Sequence, residues 1–387
     1  MRKEFHYPVP NDTRNKHIEF QMKKIFDAGD VYADNRFDAA RLNGFFQDED
    51  SVYTALITPE NVPINDSPWY AFRVWSDTVK EIRLRLRYEN GHHRYPPKLS
   101  RDGKHWQLID DVEVSADTSQ AVFKLRLTPE PVYVAAQELI TSEDTYHWLD
   151  SLAAHSPYVT EIGAAGKSVM GKKIPFLKMG NIAKKHSDVI VVFGRLHPPE
   201  ITGFMALREF METLGRENIL NDRFFKQYEI WFFPLLNPDG VDLGHWRHNA
   251  NGVDLNRDWA YYRQPEVNAV SGFILKRAKE KKARIVLGLD FHSMNEDTYY
   301  LFDDSFKTPM AWFRRLWPAA IDLSVWPFAT NHEATPLSEP YAKTWFYLQF
   351  GAESVIYEVG DNTPRDLIKR KARAAAVSMM DLLVKKK

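Results

Sequence analysis

The 387-residue chain contains no cysteine. Disulfides, thiolate metal sites and a cysteine nucleophile are therefore excluded, and neither a reducing nor an oxidising compartment is favoured. No stretch approaches the ~18 consecutive apolar residues of a membrane-spanning helix, and the amino-terminal segment MRKEFHYPVPNDTRNKH lacks the apolar run of a signal peptide. A chain whose signal had been removed would look the same, so a cytoplasmic and a periplasmic or secreted location both stay open. Charge imbalance is missing too. Lys and Arg number 51 against 52 Asp and Glu, a formal net charge of -1, which points to neither nucleic acid nor a membrane as partner. The basic tracts KRAKEKKAR (276–284) and KKK at the carboxyl end read as a solvated helix face and a tail. Internal repeats and low-complexity segments are also absent.

What is present is apolar material: 44% hydrophobic and 13% aromatic residues, enough for more than one core. At roughly 150 residues per domain this suggests two domains. Between about residues 50 and 130, short β-prone stretches (SVYTALI, WYAFRVW, EIRLRLRY, HWQLI, AVFKLRL) are separated by polar segments such as PENVPINDSP and SRDGKH. They predict an amino-terminal β-sandwich over 1–134. TSEDTYHWLDSLAAH then opens with Thr141 or Ser142 ahead of Glu143 and continues at helical spacing, so a second domain is expected over 135–387. There, buried-strand runs (DVIVVFG, EIWFFPLLN, RIVLGLDF, SVIYEVG) alternate with helical stretches (GFMALREFMETL, PEVNAVSGFILKRAKEKK). This is the pattern of an α/β fold with a mixed, largely parallel sheet flanked by helices.

Ligands of such sheets bind beyond the carboxyl ends of the strands, so the polar residues directly after these runs are the candidates. RLHPPE follows the first run and sets His197 and Glu200 three apart, with Pro199 suited to the first position of a helix. Imidazole nitrogen and carboxylate oxygen suit zinc, and a catalytic zinc needs a third protein ligand with a position left open. H-x-x-E alone is a pattern that chance can supply. His292, in LDFHS, lies at the same sheet edge, where it could equally be a strand-end histidine bonded to Asp290. NPDGVDLGHWRHNANGVDLNRDW places Arg247, Asn256 and Arg257 in one polar stretch, and arginine forks suit carboxylates. Glu358, in SVIYEVGDN, ends an apolar strand, where a carboxylate can serve as acid or base.

In order, TYHWLDSLAAHSPYV, IGAAGKSVMGKKIPFLKMG, H-P-P-E, N-P-D-G, W-R, GVDLNRDW, D-F-H-S and E-V-G resemble, from about residue 140 to 385, the zinc carboxypeptidase family that includes carboxypeptidase A. The resemblance implies one Zn2+ held by His197, Glu200 and His292. It implies Arg247 polarising the scissile carbonyl, Asn256 and Arg257 holding a terminal carboxylate, and Glu358 as general base, with Asp254 orienting the first zinc histidine. The substrate would be a peptide or protein with a free carboxyl terminus, hydrolysed by a metal- and Glu-activated water. Pro199 replaces the arginine of the digestive H-x-R-E pattern. H-P-x-E, NPDGV and the amino-terminal β-domain are instead similar to the cytosolic-carboxypeptidase branch, whereas D-F-H-S is closer to the digestive one. Tyr341 is the candidate for the tyrosine that closes over substrate, or else packs against Trp345 and Phe346. Lys343 is the candidate for a specificity residue favouring an acidic terminal side chain. A zinc amidohydrolase acting on N-acyl amino acids or cell-wall peptides, and a non-catalytic binding protein on the same scaffold, are the alternatives.

Overall fold

A computed structural model describes residues 1–5, 7, 10–180 and 188–385. His6, Pro8 and Val9 of the amino-terminal segment, and Lys386 and Lys387 of the terminal basic tract, lie outside them. The described helices include none long and apolar enough to cross a membrane.

The amino-terminal part is two facing sheets, one of six strands and one of five. Alternation explains the sandwich. Along Lys80–Tyr88, Ile82, Leu84, Leu86 and Tyr88 are buried and Arg83, Arg85 and Arg87 point outward. The neighbouring Gln120–Leu127 buries Ala121, Phe123, Leu125 and Leu127 in the same rhythm, as a half-solvated sheet requires. Val132–Ala135 is the last strand of the sandwich.

Next comes the helix Ser142–His155. Thr141 is its cap, in a capping box with Asp144 rather than with a glutamate. An eight-stranded mixed sheet follows, whose central strands Tyr228–Phe233, Asp188–Gly194, Arg284–Met294 and Glu353–Gly360 run parallel in that spatial order. All four are buried along nearly their whole length, which is why their sequences read as apolar runs without alternation. Ile190 and Val192 face one core with the helices Ile201–Gly215 and Arg365–Lys385, while Val189, Val191 and Phe193 face the other with Pro265–Lys281 and Ala342–Phe350. The first of these cores is continuous with the interior of the sandwich. The two parts of the chain thus share one apolar interior.

Two local expectations change. Pro199 is not the first residue of a helix: Glu200 is the N-cap and the helix begins at Ile201. The H-P-P-E carboxylate is thereby left outside the helix, facing the histidine. Asn-Pro-Asp-Gly is more than a turn. Asn237 caps the short helix Pro238–Leu243 by accepting from the Gly240 N–H, with proline in the first turn where its missing N–H costs nothing.

Candidate metal centre

The strand Asp188–Gly194 delivers the chain into Arg195, whose left-handed backbone (φ 50°) turns it sharply. The buried Arg195 guanidinium donates to Ile140 O at 3.3 Å and Pro198 O at 2.8 Å, fixing the loop that carries His197 and Glu200. His292 comes from the end of Arg284–Met294. In the parallel register it stands directly opposite Glu358 on the adjacent strand, so both side chains leave the same face about one inter-strand spacing apart. The helix Ile201–Gly215 packs on this strand end through Gly203, whose N–H donates to Ser293 Oγ at 2.8 Å. A Cβ on Gly203 would lie 2.2 Å from the His292 carbonyl oxygen.

These elements bring His197, Glu200 and His292 together, all buried, with their donor atoms within 4.8 Å of one another, the one such cluster among the described residues. His197 Nδ1 lies 2.6 Å from Glu200 Oε1 and His292 Nδ1 lies 2.7 Å from Glu200 Oε2. The far side of each ring meets an aspartate. His197 Nε2 is 3.0 Å from Asp254 Oδ1 and His292 Nε2 is 2.9 Å from Asp290 Oδ2. An imidazole that gives its Nε2 proton to a carboxylate keeps the Nδ1 lone pair for a metal. The His292–Asp290 contact is therefore compatible with ligation, and the two readings of that histidine were never exclusive.

The electrostatics of the cluster favour positive charge between its carboxylates. Burial opposes ionisation of Glu200, yet the two imidazoles hold its carboxyl far below the usual range. Burial likewise opposes Asp254, which Arg247 and His197 hold well below its ordinary value. Burial also works against a charged His292, which Asp290 and Glu200 nonetheless keep well above the usual imidazole range. Glu358 behaves oppositely. Burial pushes its carboxyl up to about 8, with Glu200 and Asp290 adding to the rise and His292 opposing it. Its Oε2 is buried without a hydrogen-bond partner among the described residues, an arrangement that costs roughly 1–3 kcal/mol or more unless something outside the chain satisfies it. Two Nδ1 atoms aimed at one carboxylate, backed by aspartates and facing an unsatisfied carboxyl oxygen, fit one tetrahedral divalent ion with an open position.

The remaining candidates line the same cavity of about 310 Å³, except Lys343 and Asp254. Arg247 Nε donates to Asp254 Oδ2 at 2.7 Å, so one aspartate contacts both His197 and this guanidinium. Asn256 Oδ1 accepts from the Ala342 N–H at 2.9 Å, and its Nδ2 is 3.4 Å from His292 Nε2. Arg257 Nη1 donates to Asn256 O at 3.2 Å, its ion pairs are long, 3.6 Å to Asp254 and 3.4 Å to Glu339, and its guanidinium carbon sits 4.6 Å over the Tyr341 ring. Tyr341 is thus on the cavity wall. Lys343 is buried one layer back: its Nζ donates to Thr335 Oγ1 at 2.7 Å and lies 3.5 Å over the Phe302 ring. Thr335 itself lines the cavity.

Sequence reasoning missed what the sandwich contributes. Asn65, Ser67 and Arg94 line the cavity alongside Tyr300. Behind it, the fully buried Glu60 accepts from three consecutive N–H groups, Trp246 at 2.8 Å, Arg247 at 3.0 Å and His248 at 2.7 Å. Although burial opposes it, the nearby His245, His248 and Arg41 hold the Glu60 carboxyl down to about 2. Trp246 is fully buried and bonds Trp69 O through its indole N–H at 3.1 Å.

The fold and this donor set define a class: an α/β protein with a His–Glu–His group able to hold a metal ion beyond the carboxyl ends of its parallel strands. The chain belongs to the zinc carboxypeptidase family, whose model matches residues 145–344, just over half of its length. An uncharacterised protein of Zymomonas mobilis is 27% identical over 243 residues, covering 60% of each chain. Cytosolic carboxypeptidase 6 of Mus musculus is 24% identical over 300 residues, 68% of this chain and 53% of that one. The chain thus spans between about half and three-fifths of the length of these relatives. Among solved structures, a metallo-carboxypeptidase from Burkholderia cenocepacia matches with a TM-score of 0.76 at 17% identity, over 92% of this chain and 100% of that one. A metallo-carboxypeptidase from Pseudomonas aeruginosa, in complex with (2-guanidinoethylmercapto)succinic acid, matches at 0.75 and 18%, with 92% and 100% coverage. Both likenesses extend the shared fold into the amino-terminal sandwich.

Proposed function

We propose that the protein is a zinc-dependent carboxypeptidase that releases the terminal residue of peptides or proteins bearing a free carboxyl end. The observation that carries this is the sharing of one cavity by the His197–Glu200–His292 donor set, the unsatisfied Glu358 carboxyl and the Arg247 and Arg257 guanidiniums. When bound, zinc supplies a Lewis acid and lowers the pKa of a coordinated water. The Arg257 fork, with the Asn256 amide beside it, takes the substrate carboxylate and fixes the register, so only the last peptide bond reaches the centre. Arg247, steadied by Asp254, donates to the carbonyl oxygen as it gains charge. Glu358 accepts the proton of the attacking water and returns it to the amine as the C–N bond breaks.

The test is mass-spectrometric detection of released amino acids from peptides differing at the carboxyl-terminal residue, with and without a chelator. Release should stop on chelation and return with Zn2+, and activity that ignores the chelator sinks the zinc assignment. The metal should also stabilise the fold, by about 4 kcal/mol once free zinc exceeds its Kd a thousandfold, visible as a zinc-dependent rise in Tm. Release from acetylated amino acids but from no peptide would move the reading to deacylation.

Lys343 supports a preference for an acidic terminal side chain. Burial pulls its ammonium down to about 7, so the charged form is available below that pH and a bound carboxylate would restore it. Lys343→Met should reduce the ratio of kcat/KM for Glu-ending over Leu-ending peptides roughly 3- to 10-fold, because the ammonium sits behind Thr335 and acts on a substrate carboxylate through space rather than by a direct hydrogen bond. In the unsubstituted protein that ratio should fall as pH rises above 7. A ratio unchanged by both substitution and pH would remove Lys343 from any part in specificity.

A further inference from the structure

The metal cavity does not end at the metal. A second cavity, of about 590 Å³, adjoins it and shares Asn65, Arg94 and Met294 with it, continuing past Asp66, His92 and Asn362 along the seam between the sandwich and the metal-binding domain. None of Asn256, Arg257 and Tyr341 borders this second space. The carboxylate clamp and the seam therefore lie on different sides of the three residues that border both spaces.

Arg94 stands at the junction. Its Nε donates to Asp361 Oδ2 at 2.8 Å, and its Nη1 donates to Ser67 Oγ at 2.9 Å and Asp66 O at 3.2 Å. Those bonds hold the guanidinium plane rigid. Among the described residues Nη2 has no hydrogen bond and is not one of the sealed-off unsatisfied atoms, and Arg94 lines both cavities. A guanidinium needs only three of its five N–H groups to be fixed in place. The pair left over is a pre-oriented donor for an oxygen of whatever lies in the junction. His92 is held by Asp66 (Nδ1 to Oδ2, 2.9 Å) and lines the wall beyond, where the side chains are polar rather than greasy.

We infer that the seam is the upstream arm of the substrate site and that Arg94, supplied by the amino-terminal domain, binds an oxygen of the second residue upstream of the scissile bond. This rests on the carboxypeptidase reading above. With the terminal carboxylate in the Arg257 fork and the last peptide bond at the metal, the preceding chain has to leave the cavity, and the seam is the polar space that continues it. The acceptor is either the main-chain carbonyl of that residue or a carboxylate side chain on it; both offer the same lone pairs to Nη2. Arg94 acts here as a positioning residue and takes no part in proton transfer.

The experiment compares two probes ending in Xaa, the residue released fastest in the screen above: acetyl-Xaa, which has nothing at the upstream position, and acetyl-(Ala)4-Xaa. Affinities are measured by calorimetry on zinc-loaded Glu358→Gln protein, so the readout does not depend on turnover, and KM and kcat are measured on the unsubstituted protein. The long probe should bind tenfold or more tightly than the short one. Arg94→Gln should bring that ratio close to one and act through KM rather than kcat, whereas Arg94→Lys, which keeps a cation beside Asp361, should restore part of it. Replacing the upstream Ala by Glu or Gln separates the two acceptors: a gain for Glu over Gln assigns the carboxylate, and equal binding assigns the carbonyl. The inference is overturned if Arg94→Gln weakens both probes equally, as loosening of the domain seam alone would do, or leaves their ratio intact. Absence of cleavage of every peptide would defeat the hydrolytic reading while the binding ratio still decides the role of Arg94.

Discussion

Glu358→Gln should retain zinc in full and lose roughly 10³-fold in kcat. The substitution keeps shape and one oxygen but removes proton-accepting capacity, and a positioned general base contributes about 10²–10⁴ in rate; a thousandfold corresponds to about 4 kcal/mol of barrier. Folding should not suffer, because the carboxyl oxygen Oε2 makes no hydrogen bond among the described residues. Zinc content by elemental analysis and Tm serve as controls. The pH profile gives an independent check. A base works when ionised, so kcat/KM should rise with pH through the Glu358 pKa. Burial sets that value at about 8, and a bound dication pulls a neighbouring carboxylate downward, so the acid limb should lie below pH 8. It should vanish from the residual activity of the Gln variant. Near-normal turnover in Glu358→Gln would place the base elsewhere.

The second large effect is expected far from the metal in sequence. Glu60→Ala leaves three buried backbone N–H groups, of Trp246, Arg247 and His248, without their acceptor. At roughly 1–3 kcal/mol for each buried donor left unmade, the cost is on the order of 3–9 kcal/mol, or a fall in Tm of about 10 °C. Activity should fall further than folding does. At temperatures where the variant is fully native by circular dichroism, kcat should still drop about 10²-fold, since the Arg247 backbone is no longer pinned and a displacement near 1 Å at a catalytic group costs that much. Glu60→Gln, with one acceptor oxygen where three N–H groups converge, should lie between. A variant with lowered Tm but unaltered kcat would show that Glu60 braces the fold without governing Arg247.

How much of this was legible in the sequence follows from how far each signal reaches along the chain. The sandwich was readable because Ile82, Leu84 and Leu86 alternate with arginines, and the sheet because its strands are apolar throughout. His197, Glu200, His292 and Glu358 were readable because each follows such a run, so topology alone brings them to one edge. The helix start after H-P-P-E was misjudged by two residues, since proline's preference for a first turn was outweighed here by the Glu200 cap position. The roles of Glu60, Ser67 and Arg94 could not be read. They lie in irregular segments between strands, with no periodicity and no neighbouring motif, and their partners are residues such as Asp361 and Arg247, more than 180 positions away. Lys343 was a candidate from the sequence, but its place behind Thr335, outside the cavity lining, is a matter of packing that residue spacing does not encode.

The cavity of about 310 Å³ is walled on one side by Asn65, Ser67 and Arg94 of the sandwich, and its size is at the small end of the range for ligand pockets. A folded domain cannot enter such a space; an unstructured tail can. On the proposed function the sandwich would act as a sieve on the conformation of the substrate before any side chain is read, and a protein whose last residues are tucked into its own core would escape processing however well its terminal residue suited the pocket.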